Sequence, residues 1–391
     1  MTTRFNMLGL LKFATQRYAR LLAGCIAPRP RGNGAPLSLR RAVLMLLFVP
    51  LLLAVQLIHW LGLLLDELLF PGYRRITIRE PVFIVGVPRS GTTALHRTLA
   101  QDPQFTTFST WECLLALSIT ERKFWLALAG LDRRLGGPGQ ALLQWLQGRL
   151  FGQLEAVHPT DLQAPEEDYL ALTPILACFV FVLPFPWSGD LWRTGSFDRD
   201  ASPAEKQRIM AFYRACLQRH LYVHGADKRL LSKNASFSPM VATLAKTFPD
   251  ARFICCMRDP QKTVPSQLSS VAGGLRSFGA DPDIVFPHLI DQLAYYYDHL
   301  LAVLPNLPSH QHAFIDAPRL RAAMAATITA TYARLDLTLT PEYQATLDSA
   351  DQDSKAFVTR HRYSLEQFGW DAERLRQRFD HVYRHYEFGH A

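Results

Sequence analysis

Hydrophobic and polar positions alternate in different ways along the 391 residues, and each pattern predicts a different element. From Ala42 to Leu65 the chain is uncharged and almost wholly apolar. At 1.5 Å per residue, about 24 residues are long enough to cross a bilayer. Pro50, Gln56 and His59 interrupt the run, and no small-residue cleavage site follows it. A spanning helix, a kinked helix or hairpin in one leaflet, and a buried core helix all fit. Val82 to Val87 is shorter and rich in β-branched residues, the pattern of a buried parallel strand. After a loop, Leu95, Leu99 and Ala100 fall at helical spacing.

The same alternation continues downstream. Leu230 and Leu231 end a strand and Lys233 leads the loop after it; Arg252–Met257 and His312–Ile315 read as strands, with a helix over Met240–Phe248 and a last amphipathic one through Leu375, Phe379, Val382 and Tyr383. Between about 113 and 225 the pattern is helices and loops, broken at Gly136-Gly137-Pro138-Gly139. The apolar run Tyr169–Trp187 is too proline-broken to span a membrane; it suits core or the wall of a greasy acceptor pocket. The prediction is an α/β fold: a parallel sheet flanked by helices over 78–391, a helical acceptor-side insertion at 113–225, a basic tail at 1–41 and a hydrophobic anchor at 42–70.

Charge sharpens the tail. Lysine and arginine exceed aspartate and glutamate by 42 to 34, a net charge of +8. Residues 1–41 carry Arg4, Lys12, Arg17, Arg20, Arg29, Arg31, Arg40 and Arg41 with no acid, so the body is balanced. This speaks against a nucleic-acid partner and for a basic helix on an anionic membrane surface. Arg40 and Arg41 before the apolar run, with Asp66 and Glu67 after it, would place a spanning protein's body outside the cytoplasm. A body on the cytoplasmic face with a monotopic or re-entrant anchor is preferred; the alternative is a single pass with an extracytoplasmic or luminal body. The six cysteines show no CxxC pair and no metal-ligand spacing, which fits a reduced compartment and predicts no zinc.

The loop after the first strand carries the chemistry. Gly86-Val-Pro-Arg89-Ser90-Gly91-Thr92-Thr93 has the spacing of a phosphate-binding P-loop, in which backbone N–H groups and a helix N-terminus converge on an anion. The lysine that a triphosphate loop needs is replaced by Thr92, and Arg89 is the nearest cation. Pro88–Thr93 resembles the 5′-phosphosulfate loop of sulfotransferases, protein-tyrosine sulfotransferases among them. Phe248-Pro-Asp-Ala-Arg-Phe253 followed by Arg258-Asp-Pro260 is similar to the bacterial-type group of the same family.

The resemblance implies a P-loop NTPase-like sheet and transfer of a sulfonyl group from 3′-phosphoadenosine 5′-phosphosulfate (PAPS) to a hydroxyl, without a metal. It implies that Arg89, Ser90, Gly91, Thr92 and Thr93 hold the 5′ end, that Arg258 and Ser266 hold the 3′-phosphate, and that Lys233 stands by the sulfuryl group. Glu112, soon after the loop's helix, becomes the expected base for the acceptor proton; a structural role as a helix cap is the alternative. The histidine some relatives carry two residues after the lysine is here Ala235. Glu166-Glu167-Asp168 reads as a helix N-terminus, alternatively as a group that orients acceptor or base. Arg360, His361 and Arg362 are a further basic cluster that reaches donor, acceptor or solvent. A lipid or other amphiphilic alcohol suits the anchor as acceptor. A P-loop kinase and an inactive membrane-bound nucleotide-binding protein remain the competing classes.

Overall fold

The structure, a computed structural model, describes residues 6–26, 35–36, 38–139, 141–142, 145, 162–356 and 365–388. Five strands form one parallel sheet: β1 (Val82–Gly86), β2 (Phe105–Thr106), β3 (Arg229–Lys233), β4 (Arg252–Met257) and β5 (His312–Asp316), in the order β2-β3-β1-β4-β5. In register, Val82 faces Leu231 on one side and Arg252 on the other, so β1 is central. All five residues of β1 and all six of β4 are buried, as near-continuous apolar runs require in a sheet covered on both faces.

Alternation divides the core. Phe83, Val85, Phe253 and Cys255 point to one face, Val82, Ile84, Ile254 and Cys256 to the other. The helices in chain order include α1 (Met7–Ile26), α2 (Leu39–Leu69), α3 (Thr92–Leu99), α4 (Thr110–Leu115), α5 (Ile119–Arg134), α6 (Pro203–His224), α7 (Val241–Thr247), α8 (Pro260–Ser277), α9 (Pro282–Val303) and α10 (Ala317–Ala322), with short ones between them and others, among them Met324–Arg334 and Pro341–Ala356, after. The strand order reverses at β1 and β4, so the carboxyl ends of β1, β3 and β4 open one crevice, where ligands of such sheets bind.

The basic N-terminal segment is helical, but its apolar side does not face lipid. Leu10, Phe13, Ala14, Tyr18 and Leu21 are buried against the body. Arg17 is buried too, donating to Glu205 at 2.5 Å and to the Leu176 carbonyl at 2.9 Å. Periodicity identifies an amphipathic face without saying what covers it; here the cover is the chain itself.

The apolar run is the single helix α2, continuous through Pro50. Arg41, Gln56, His59 and Asp66 face the protein. His59 Nδ1 lies 2.7 Å from Glu121, and Asp66 takes Arg219 Nε at 2.9 Å. The same Asp66 caps α5, accepting from the backbone of Ile119 and Thr120 at 2.9 and 2.8 Å. Gly62 lets α5 close on α2, since a Cβ there would lie 2.3 Å from Ser118 Oγ. Arg360, His361 and Arg362 lie outside the described residues.

Candidate active site

The loop is built by two glycines and one strained residue. Gly86 has φ +132°, and a Cβ on it would sit 2.1 Å from the Cys256 carbonyl oxygen, so only glycine lets β1 and β4 run this close into the turn. Arg89, at φ +66°, and Gly91, at φ +89°, complete the reversal. A non-glycine residue held left-handed inside a ligand loop is strain of the kind functional turns retain. Ser90 Oγ donates to the Val87 carbonyl at 2.5 Å, which clamps the turn from within. Helix α3 begins at once, so its unpaired N–H groups and positive end face the same cup.

The second turn meets the first. Arg258, just past the end of β4, donates Nη1 to the Arg89 carbonyl at 2.8 Å. Arg89 Nε in turn donates to Ser266 Oγ at 3.1 Å, from the second turn of α8. Three of the expected donor-binding residues are therefore in one hydrogen-bonded group, although 169 residues separate Arg258 from Arg89. Arg258 is pushed below the ordinary guanidinium range, by burial first and then by the positive charges of Arg321 and Arg89. Like charges gathered at the mouth of a crevice repel, and a polyanion relieves that repulsion. Arg321, on α10 after β5, carries no sequence motif, and its role is legible only in space. Asp259 caps α8 at Gln261 N, 2.8 Å, and accepts from Tyr383 Oη at 2.6 Å, which fixes the turn that presents Arg258.

Lys233 ends β3 beside the loop. Its Nζ lies 2.5 Å from Glu167 Oε1 and 3.4 Å from Thr93 Oγ1. The carboxylate at the loop is thus Glu167, and its position has a clear cause. The next residue, Asp168, is fully buried and accepts from Tyr213 at 2.5 Å, from Ser232 at 2.8 Å and from Asn234 Nδ2. Burial pushes the Asp168 carboxyl up to about 6 against the pull of these three donors. The network staples the insertion to the end of β3 and sets Glu167 over Lys233. Glu167 also stands at the N-cap position of a short 3₁₀ helix, Asp168–Ile175, so the helix-terminus reading of this acidic trio holds as well.

Glu112 has other partners. It is the third residue of α4, and its Oε2 accepts from Ser109 N and Oγ at 2.8 Å each, closing a capping box. Oε1 takes His224 Nε2 at 2.6 Å and lies 3.5 Å from Arg122 Nη1. Burial alone would raise this carboxyl; the His224 hydrogen bond and the Arg122 charge instead hold it well below the usual carboxylate range. No hydrogen bond or ion pair among the described residues joins Glu112 to Arg89, Thr93 or Lys233. With both oxygens occupied and only 3 % of its side chain exposed, against 26 % for Glu167, it has the surroundings of a structural acid.

Glu112, His220 and His224 offer ligand atoms within 4.8 Å of one another, a metal-binding set by residue type. Arg122, however, already gives this group its positive charge. Its Nη2 lies 3.3 Å from His220 Nδ1, while His220 Nε2 pairs with Thr106 Oγ1 at 2.8 Å. Burial and then Arg122 hold His220 neutral, so its 3.9 Å approach to Glu112 is no ion pair. A second cation here would meet Arg122.

Comparison with known proteins agrees with this geometry. A model described as "Sulfotransferase family" matches residues 81–341. The Omega-hydroxy-beta-dihydromenaquinone-9 sulfotransferases Stf3 of Mycobacterium bovis and Mycobacterium tuberculosis are each 26% identical over 204 residues, covering 48% of this chain and 44% of theirs. The chain thus spans about half the length of the curated relatives it matches. In fold it is similar to sulfotransferase STF1 of Mycobacterium tuberculosis H37Rv, with a TM-score of 0.69 at 20% identity over 94% of this chain and 91% of that one. For STF9 of Mycobacterium avium the TM-score is 0.65 at 19% identity, over 86% and 84%. Since the matched span takes in all five strands, the glycine loop after β1 and the arginine turn after β4, the chain belongs to the sulfotransferase family.

Proposed function

We propose that the protein transfers a sulfonyl group from PAPS to the hydroxyl of a membrane-resident lipid or other amphiphilic alcohol. The observation that carries the donor is the meeting of Arg89, Arg258 and Ser266 at a loop whose P-loop lysine position is Thr92. A cup of backbone N–H groups from Ser90 to Thr93 suits the 5′ end; the guanidinium of Arg258 and the hydroxyl of Ser266 suit a dianionic 3′-phosphate. Lys233 neutralises charge on the oxygen from which the sulfonate departs.

Glu167 replaces Glu112 as the base in this reading. It is the carboxylate paired with Lys233, and it is partly accessible. The acceptor proton passes to Glu167 as the acceptor oxygen bonds to sulfur and the S–O bond to the 5′-phosphate breaks, leaving 3′-phosphoadenosine 5′-phosphate. The lipid acceptor is supported by α2, which is long and apolar enough to cross a membrane. It is supported also by the Stf3 relatives, named for a hydroxylated menaquinone. Because PAPS is made in the cytosol, the body is assigned to the cytoplasmic face.

The test is to incubate the full chain with ³⁵S-PAPS and a membrane lipid extract. Label in an organic-phase product, with release of 3′-phosphoadenosine 5′-phosphate, is expected. Label confined to a soluble carbohydrate would overturn the acceptor, and preferential binding of magnesium-ATP would overturn the reaction.

A further inference from the structure

We infer that α2 does not cross the membrane but lies along its surface, and that its outer stripe, continued by α5, seats the enzyme on the interfacial region of one anionic phospholipid leaflet. Such a seat is separate from the reaction and serves whatever alcohol is sulfonated.

Helix α2 is inverted relative to a surface helix in water. Its inward side carries the polar residues Arg41, Gln56, His59 and Asp66, all buried. Arg41 donates to the Phe278 carbonyl and, at 2.6 Å, to that of Pro184; His59 and Asp66 hold Glu121 and Arg219. Its outward side presents Leu46, Leu47, Leu51, Leu57, Ile58 and Leu61, 58–73 % exposed, with no charged residue among them. From Arg41 to Asp66 the helix is tied to the body over about 38 Å at 1.5 Å per residue, more than the roughly 30 Å of a bilayer's hydrocarbon. A helix fixed to a folded body along that length cannot be surrounded by lipid, and freeing it would carry Asp66 toward lipid and leave Arg219 buried in the body without its counter-charge.

Charge selects the occupant. Arg40 is exposed at the start of the stripe, and Arg75 and Arg79 are exposed just beyond its end. On α5, which packs against α2, exposed Lys123, Arg133 and Arg134 alternate with exposed Phe124, Trp125 and Leu131. Aliphatic stripe, aromatic flank and basic margin are the complement of a leaflet with anionic headgroups. A second copy is the other candidate, but the six outward residues of α2 are wholly aliphatic, without the Tyr, Trp and Arg anchors that dominate the centre of protein interfaces.

The test uses the full chain and vesicles of phosphatidylcholine and phosphatidylglycerol at 70:30. Flotation is expected, falling at least tenfold without phosphatidylglycerol and at least tenfold in Leu47→Glu/Ile58→Glu, which keeps its turnover of a detergent-soluble alcohol. Spin labels at Leu46→Cys, Leu51→Cys, Ile58→Cys and Leu61→Cys, on a Cys25→Ser background, should all sit at one shallow depth below the headgroups. Labels that deepen to the midplane and rise again would overturn the inference in favour of a spanning helix. Absence of flotation with dipolar coupling between labels would overturn it in favour of a dimer.

Discussion

Exchanging Glu167 and Glu112 for glutamine in turn separates catalysis from architecture. Glu167→Gln keeps a hydrogen-bond acceptor near Lys233, 2.5 Å away, and removes the group that takes the acceptor proton. General bases contribute 10²–10⁴ in rate, so kcat should fall by about that factor, or roughly 3–5 kcal/mol of barrier at 1.36 kcal/mol per decade. Affinity for 3′-phosphoadenosine 5′-phosphate should stay within about threefold, because Arg89, Arg258 and Ser266 are untouched. Glu112→Gln should do the reverse. It strips the counter-charge from Arg122, whose side chain is 1 % exposed, and breaking a buried pair costs about 3–5 kcal/mol. The midpoint of urea unfolding should drop accordingly, while kcat per folded molecule stays within about threefold. Single-turnover kinetics with ³⁵S-PAPS, beside denaturation curves, reads both. A folded, nucleotide-binding Glu112→Gln enzyme without chemistry, next to an active Glu167→Gln, would refute the assignment.

Three further outcomes follow from the same contacts. Arg258→Ala should weaken 3′-phosphoadenosine 5′-phosphate by about 10–100-fold in calorimetry, the worth of one or two hydrogen bonds to a charged group, and flatten its salt dependence; unchanged affinity would contradict the 3′-phosphate role. Asp66→Ala should cost about 3–5 kcal/mol in urea unfolding, because Arg219 is buried and the cap of α5 is lost with it. Burial, aided by the charges of Lys233 and Arg97, holds the His96 imidazole down at about 3. The unfolded chain therefore binds a proton below about pH 6.5 that the folded one refuses, and stability should fall as pH drops from there toward 3, by up to about 1.4 kcal/mol per pH unit. His96→Gln should flatten that slope by up to one proton, and an unchanged slope would contradict it.

Much of the site was legible in the chain because its signals are local. A β-branched run, a glycine loop with Arg89 inside it and a helical pattern are contiguous, and they give β1, the loop and α3 within a residue or two. Arg258 was legible as the residue after a strand. Glu167 was not, because what distinguishes it is a contact with Lys233 across 66 residues, while locally it reads as a helix start. Glu112 had nearness to the loop in sequence, but spacing does not say which way the six-residue α4 turns its side chains. The faces of α1 and α2 were ambiguous for the same reason: composition marks an apolar stripe, and only the fold decides whether protein or solvent meets it.

The central claim is that the turns after β1 and β4 hold the two ends of one adenine nucleotide. A crystal structure with 3′-phosphoadenosine 5′-phosphate tests it most directly. The 5′-phosphate should lie on the backbone from Ser90 to Thr93 and the 3′-phosphate on Arg258 and Ser266. A nucleotide bound away from both turns, or with its 3′-phosphate in solvent, would contradict it.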